Sequence, residues 1–311
     1  MYKVLIMLST YNGEKYICEQ MNSLYEQKDV EFHLLVRDDG SKDRTCQIIE
    51  SYRERFHNID LIRAENVGVV RSFHLLITEA INNYSGYDYY AFCDQDDVWY
   101  NDKLITACNK LRDSNQRYKF YFCDPEIVDE SLASKKVKKI IIRNNLHGNI
   151  IANHIQGCTM VFNYSLLKKA SLLSKDVTSF SSVKRIPIHD AWIAAVAYAL
   201  DSYIVYDQNP HIKYRQHEGN VVGAGHGRIK VLVDRIIRYK NGDGKKLQKC
   251  DFLRYYLYDD IPNENKTIVD KFVEYKKSYK AKFALLFDHD IYQYDLMTNV
   301  GLFFMILINK F

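Results

Sequence analysis

The 311-residue sequence predicts an α/β fold, a mostly parallel sheet flanked by helices with a helical C-terminal extension. Two observations carry that prediction. Through the first 125 residues, apolar strand-like runs alternate with segments at helical spacing, joined by short connections, and such β-α-β chains build right-handed, largely parallel sheets. The four strand-like runs in that stretch all end in polar residues, and open α/β sheets bind ligands outside the carboxyl ends of their strands.

The elements follow in order. "KVLIML" is a continuous apolar run, the pattern of a strand buried on both faces. In "STYNGEKYICEQMNSLYEQ", Ser9 to Asn12 offer capping chemistry, and Ile17, Met21 and Leu24 recur at helical spacing. "EFHLLVRDDGSKD" reads as a strand ending in a polar turn, and "RTCQIIESYRERF" as a helix. "IDLIRAENVG" is a strand and turn, "VVRSFHLLITEAINN" a helix, and "DYYAFCDQDDVW" the fourth strand. From about 120 to 225 the pattern is less regular. There "KFYFCD" and "GCTMVF" read as strands, "HDAWIAAVAYAL" as a helix with Asp190 in its first turn, and "SYIVYDQN" and "HIKYRQH" as short strands.

Composition excludes some classes. A net charge of +4 does not call for a nucleic-acid partner. Seven scattered cysteines, odd in number and without a Cys-x-x-Cys pair, read as reduced buried thiols of a cytosolic protein. The N-terminal "MYKVLIMLSTYNG" is too short for a signal peptide's apolar core and cleavage site, and no stretch reaches the roughly 18 apolar residues of a membrane span.

The chemistry concentrates in "AFCDQDDVWY", where Asp94, Asp96 and Asp97 end an apolar strand. Solvation or helix capping accounts for one such aspartate more easily than for three. Like charges this close raise each other's pKa and destabilise the fold unless something neutralises them. Hard Mg2+ or Mn2+ takes one or two carboxylates and leaves positions open for substrate phosphates, so a metal–diphosphate site is expected.

Seven motifs stand in order over about residues 2 to 225: "STYNGEKY", "RDDGSKD", "ENVGVVRSF", "DQDDVW", "GCTMVFN", "HD" and "YRQHEGNVVG". On these the sequence resembles glycosyltransferase family two, the inverting enzymes of the GT-A fold. Within it, the sequence is similar to the bacterial rhamnosyltransferase-like branch that builds cell-wall, capsular and O-antigen polysaccharides. The resemblance implies a Rossmann-like catalytic domain over 1–225, with a nucleotide-binding half (1–125) and an acceptor-binding half (126–225), and leaves 226–311 as the helical extension. It implies that Thr10, Tyr11 and Asn12 touch the nucleotide. Asp39 would read the base, because a carboxylate accepts the N3–H of uracil or thymine and repels the acceptor face of cytosine. Asn66 and Gly68 would lie near the nucleoside, with Arg71 near phosphate.

The Asp-x-Asp of the family maps onto Asp94 and Asp96. Asp96 would ligate Mn2+ or Mg2+, and Asp94 would act through the ribose or a metal-bound water; Asp97 receives no role. Asp190, of the pair His189-Asp190, would be the general base that inversion requires. In "YRQH", Arg215 and His217 share one face of a strand, Arg215 pairing with phosphate and His217 completing the metal ligands. Trp99, Gly157 and His189 are acceptor-side candidates, and the glycines at 219, 223, 225 and 227 suggest a loop that closes over the donor.

The expected reaction moves L-rhamnose from dTDP-β-L-rhamnose onto a lipid-linked or growing polysaccharide. The same motifs accommodate UDP-galactose, UDP-glucose or UDP-N-acetylglucosamine as donor. A non-catalytic nucleotide- or glycan-binding module would lack Asp94, Asp96 or Asp190, and all are present. A nucleotidyltransferase would carry a Gly-rich phosphate loop where "STYNG" stands. In the extension, the basic, apolar-interleaved residues 228–249 and the closing "VGLFFMILINKF" have two readings. They pack, on the catalytic domain or on the second subunit of a homodimer, or they form an interfacial surface for a peripheral protein on the inner face of the plasma membrane.

Overall fold

A computed structural model of the chain describes residues 1–140, 145–151, 153–179, 186–217, 245–292 and 296–309. The glycine loop at 219–227, residues 228–244 of the basic stretch and the expected boundary at 225 lie outside the described residues.

The N-terminal strands and helices form in the expected alternation. They are β1 (Tyr2–Thr10), α1 (Ile17–Tyr25), β2 (Val30–Asp38), α2 (Thr45–Phe56), β3 (Ile59–Arg63), α3 (Val69–Asn83) and β4 (Tyr89–Cys93). After them come β5 (Val98–Trp99), α4 (Lys103–Arg112), β6 (Lys119–Cys123), β7 (Glu126–Val128), β8 (Ser134–Val137), α5 (Leu146–Ile151), β9 (Val161–Asn163), α6 (Tyr164–Ser179), α7 (His189–Ala199), β10 (Tyr203–Asp207) and β11 (Ile212–Arg215).

The main sheet has seven strands in the order β10-β6-β9-β4-β1-β2-β3. Strand β1 pairs in parallel with β2 on one side and β4 on the other, so the strand order reverses there and a crevice opens beyond the carboxyl ends of β1 and β4. The sequence accounts for this placement. Val4 to Leu8 and Tyr89 to Cys93 are buried throughout, as central parallel strands covered on both faces must be. Strand β9 is antiparallel to both neighbours, β4 and β6. A second sheet, β5-β11-β7-β8, ends in the fully exposed "SKKV" of β8, whose lysines suit an unpaired edge.

The chain divides into two compact units, the first comprising Met1–Ile140, Ile155–Ile193 and Ser202–His217, the second Ile141–His154, Ala194–Asp201 and Glu218–Phe311. In this grouping 141–154 and 194–201 fall with the C-terminal unit. Helix α7 is apolar around its whole circumference from Trp192 onward and buries all of it, a pattern that single-face reasoning cannot assign to one unit. The second unit adds α8 (Lys245–Leu257), α9 (Asn263–Glu274), α10 (Tyr279–Leu286) and α11 (Leu296–Leu307). Lys249 Nζ donates to Asn149 O at 2.7 Å, tying α5 to α8. No helix among the described residues is long and apolar enough to cross a membrane.

Candidate active site

The loop after β4 is assembled from long-range contacts. Gln95 clamps it to the end of β1: Tyr11 N donates to Gln95 Oε1 at 2.8 Å and Gln95 Nε2 donates to Tyr11 O at 3.1 Å. Gly13 has to be glycine there, since a Cβ would collide with the Gln95 amide. On the other side, β5 pairs antiparallel with β11, Trp99 opposite Ile212, and this register carries Arg215 and His217 to the acidic loop.

His217 and Asp96, the two expected metal ligands, meet: His217 Nε2 lies 2.9 Å from Asp96 Oδ2, with the Tyr16 ring 4.8 Å from the imidazole. A carboxylate oxygen and an imidazole nitrogen, both near the surface and side by side, fit a hard or borderline divalent ion that keeps positions for phosphate. Asp94, Asp97 and Cys158 form a second group, with ligand-type atoms within 4.8 Å of one another. That group already has a cation beside it. Lys103 is fully buried with its ammonium 3.0 Å from the Trp99 ring centroid, in the neighbourhood of Asp97 and of the neutral Cys93, Cys123 and Cys158 thiols. Burial nevertheless pushes the Lys103 pKa down to about 8.

The acids around the loop are strained electrostatically. Burial, then the Asp96 and Asp190 charges, raises the Asp94 pKa to about 7, and burial with the charges of Asp96 and Asp94 holds Asp97 well above the usual carboxylate range. A carboxylate whose folded pKa is raised costs stability as pH rises from about 4 toward that pKa, because the native state binds the more protons there. A divalent cation relieves this repulsion where the acids are charged. The thermal stabilisation conferred by Mn2+ should consequently be larger at pH 8 than at pH 5.5; an equal or smaller shift at pH 8 would mean the ion does not bind beside these carboxylates.

Asp190 sits in the first turn of α7, where its Oδ1 accepts the Ala191 N–H, and its charge reaches Asp94. His189 does not join it. Its ring is 4% exposed, stacked on Phe73 with centroids 3.7 Å apart and edge-on to Phe92 at 4.6 Å, and neither ring nitrogen has a hydrogen-bond partner. Burial drives its pKa well below the usual imidazole value, so it is neutral. Gly157 is buried against it, a Cβ there standing 2.5 Å from His189 Nε2. Trp99 is 2% exposed beneath Lys103. All three acceptor-side candidates are buried and packed in this structure, and an aromatic or imidazole ring in a motif reads the same whether it faces a ligand or the core.

Arg215 is also corrected. Its side chain is 1% exposed. Nε donates to Asp96 O at 2.8 Å, its backbone N–H to Asp97 Oδ1 at 3.0 Å, and the guanidinium also meets Glu130 O and the Glu19 carboxylate, with the Tyr16 ring centroid 4.5 Å away. It holds the metal loop in shape rather than presenting a face to phosphate.

The remaining donor-side residues line the carboxyl ends of β1 to β3. Thr10 Oγ1 donates to Asp38 Oδ1 at 2.9 Å, Tyr11 is 44% exposed, and Asn12 takes the left-handed conformation (φ 48°) with its Oδ1 accepting Lys42 N. Asp39 is buried against Arg37 and accepts Val67 N at 2.9 Å and Gly68 N at 2.8 Å, which draws the "ENVG" turn toward its carboxylate. Asn66 is exposed and Arg71 half-buried in the first turn of α3. Sequence reasoning passed over Gln95, Lys103 and Arg37. Lys103 was legible: with Ala107 and Leu111 it shares the buried stripe of α4 at i, i+4, i+8.

A family model described as Glycosyl transferase family 2 matches residues 5–170. Over 223 residues the chain is 31% identical to a Shigella flexneri protein named dTDP-rhamnosyl transferase RfbG, a match covering 70% of this chain and 74% of that protein. Among solved structures it is similar to S. aureus TarS 1-349 in complex with UDP-GlcNAc, with a TM-score of 0.60 at 18% identity over 99% of this chain and 80% of that chain. It is also similar to the mannosyltransferase PcManGT from Pyrobaculum calidifontis in complex with GDP-Man and Mn2+, with a TM-score of 0.52 at 14% identity over 99% and 85%. At these identities the two structures speak to the fold.

Proposed function

The chain belongs to glycosyl transferase family 2, and on that footing we propose that it moves L-rhamnose from dTDP-β-L-rhamnose, with inversion, onto a lipid-linked or growing cell-surface polysaccharide. The observation that supports the chemistry is the convergence of Asp190 with the Asp94–Asp96–His217 edge of the sheet. The similarity to a dTDP-rhamnosyl transferase supports the choice of sugar.

Asp190 accepts the proton of the acceptor hydroxyl as its oxygen bonds to the anomeric carbon from the face opposite the diphosphate, and the bond from that carbon to the phosphate oxygen breaks. Asp96 and His217 would hold Mn2+ or Mg2+, which when bound neutralises charge on the nucleoside diphosphate. Thr10, Tyr11, Asn12, Asn66 and Gly68 would contact the nucleotide, Arg71 its phosphates, and Asp39 the thymine N3–H. A lipid-linked acceptor would place the enzyme on the inner face of the plasma membrane, with its C-terminal extension as the contact.

A second reading keeps the reaction and exchanges the donor for a UDP-hexose or UDP-N-acetylhexosamine. It is favoured by 33% identity over 110 residues to a poly(ribitol-phosphate) β-N-acetylglucosaminyltransferase, TarS. Hydrolysis of a panel of nucleotide sugars with Mn2+ separates the two; turnover of UDP-N-acetylglucosamine in preference to dTDP-rhamnose would select the second. In either case dTDP and UDP should raise the melting temperature more than CDP and GDP do. Asp39→Asn, whose single amide oxygen can keep only one of the contacts that the two carboxylate oxygens make to Val67 N and Gly68 N, should blunt that preference. Equal stabilisation by all four nucleotides would remove Asp39 from base reading.

A further inference from the structure

Helix α10 carries an exposed aromatic row that the catalytic reading does not use. Tyr279, Phe283 and Phe287 follow one another at i, i+4 and i+8, and are 82%, 54% and 69% exposed. Leu285, on the far side of the helix, is buried, and so is Leu286 beside the row. The Phe283 and Phe287 rings lie nearly parallel, 7° apart in plane with centroids 6.3 Å apart. Helix α11 packs against α10 and repeats the arrangement: Leu302, Met305 and Ile306 are buried, while Val300, Phe304 and Leu307, at i, i+4 and i+7, are exposed. Lys282 Nζ donates to Leu307 O at 2.8 Å, so a side chain of α10 caps the carboxyl end of α11 and fixes the pair.

A water-soluble surface does not usually leave so many large apolar side chains together. The charge around them indicates what covers them. Neither α10 nor α11 contains a carboxylate, and α11 has no charged residue at all. Lys276, Lys277 and Lys280 are exposed at the start of the aromatic row. An apolar face with tyrosine and phenylalanine, bordered by Lys276, Lys277 and Lys280, with Asp288 beyond it paired to Lys271 and Asp290 exposed, matches the boundary between anionic headgroups and acyl chains. A second copy of the chain would bring the same lysines against each other.

We infer that the paired outer faces of α10 and α11 form an interfacial membrane-binding surface for anionic phospholipid. The inference rests on the proposed lipid-linked acceptor only for its usefulness, since the surface is read from this unit alone. The expected contact comprised residues 228–249 and the closing "VGLFFMILINKF"; this surface keeps the last helix and adds the row at 279–287.

Co-sedimentation of the full chain with vesicles of phosphatidylcholine plus phosphatidylglycerol tests it, with pure phosphatidylcholine vesicles alongside. Binding to the mixed vesicles at low salt should exceed binding to the neutral ones and fall at high salt. Phe283→Ser with Phe287→Ser, and separately Lys276→Glu with Lys280→Glu, should each weaken binding by about tenfold or more. All four side chains are exposed, so the fold survives, and hydrolysis of the donor in solution should match the unaltered protein. Failure of the donor assay would count against the catalytic reading and leave this one standing. Indifference of the full chain to anionic vesicles, or unaltered binding by the phenylalanine variant, would overturn it. So would a dimer in sedimentation equilibrium that the phenylalanine variant abolishes without any vesicle binding, which would assign the face to a second copy.

Discussion

Asp96→Ala should lower transfer by at least about 10²–10³-fold, the scale on which removing a preorganised charge partner for a departing group is felt. EDTA should do the same to the unaltered enzyme. The structure explains why the loss would be chemical rather than structural. The loop is held through its backbone and through Asp97: Arg215 Nε donates to Asp96 O, Arg215 N to Asp97 Oδ1, and Gln95 pairs with Tyr11. Among the described residues, the Asp96 side chain meets His217 rather than that framework. The variant should therefore fold and retain its circular dichroism, while losing the Mn2+-dependent rise in melting temperature. His217→Ala should weaken that rise in the same direction. Undiminished turnover in EDTA, or a full Mn2+ shift in Asp96→Ala, would place the diphosphate's counter-charge elsewhere.

Much of this arrangement was legible in the sequence, and the illegible part has a common cause. Strands β1 and β4 announce themselves because a strand covered on both faces must be apolar without interruption, and their polar ends mark the open edge of the sheet. The pairing of Asp96 with His217 follows from motif order. What the sequence hides is commitment: whether a polar side chain is spent inside the protein or offered to a ligand. Arg215 reads as a phosphate partner until Glu19, 196 positions away, is found against it. His189 and Asp190 are neighbours in one motif, yet the first turn of α7 directs one ring into the pocket of Phe73 and Phe92 and leaves the other side chain half-buried at the site. The insertion of antiparallel β9 between β4 and β6 is hidden for the same reason, since a three-residue strand carries no record of its partners.

Asp190→Asn should reduce the rate by about 10²–10⁴-fold, equivalent to roughly 3–5 kcal/mol of transition-state stabilisation, and leave donor binding intact. The amide matches the carboxylate in shape, and its oxygen can still accept the Ala191 N–H, so that local contact in the first turn of α7 is kept. What it cannot do is take a proton from the acceptor hydroxyl. The charge of Asp190 is also one of the causes that raise the Asp94 pKa, so its removal should let that pKa fall. Mn2+ and the nucleoside diphosphate should then bind Asp190→Asn as tightly as the unaltered protein, or slightly more tightly. Calorimetry with dTDP and Mn2+, run beside a transfer assay, separates the two quantities: a large fall in kcat with an unchanged or smaller Kd assigns Asp190 to proton transfer. A variant that loses nucleotide binding in proportion to its activity would instead make Asp190 part of the donor or metal site, and the base would have to be sought among other groups at the β4 edge.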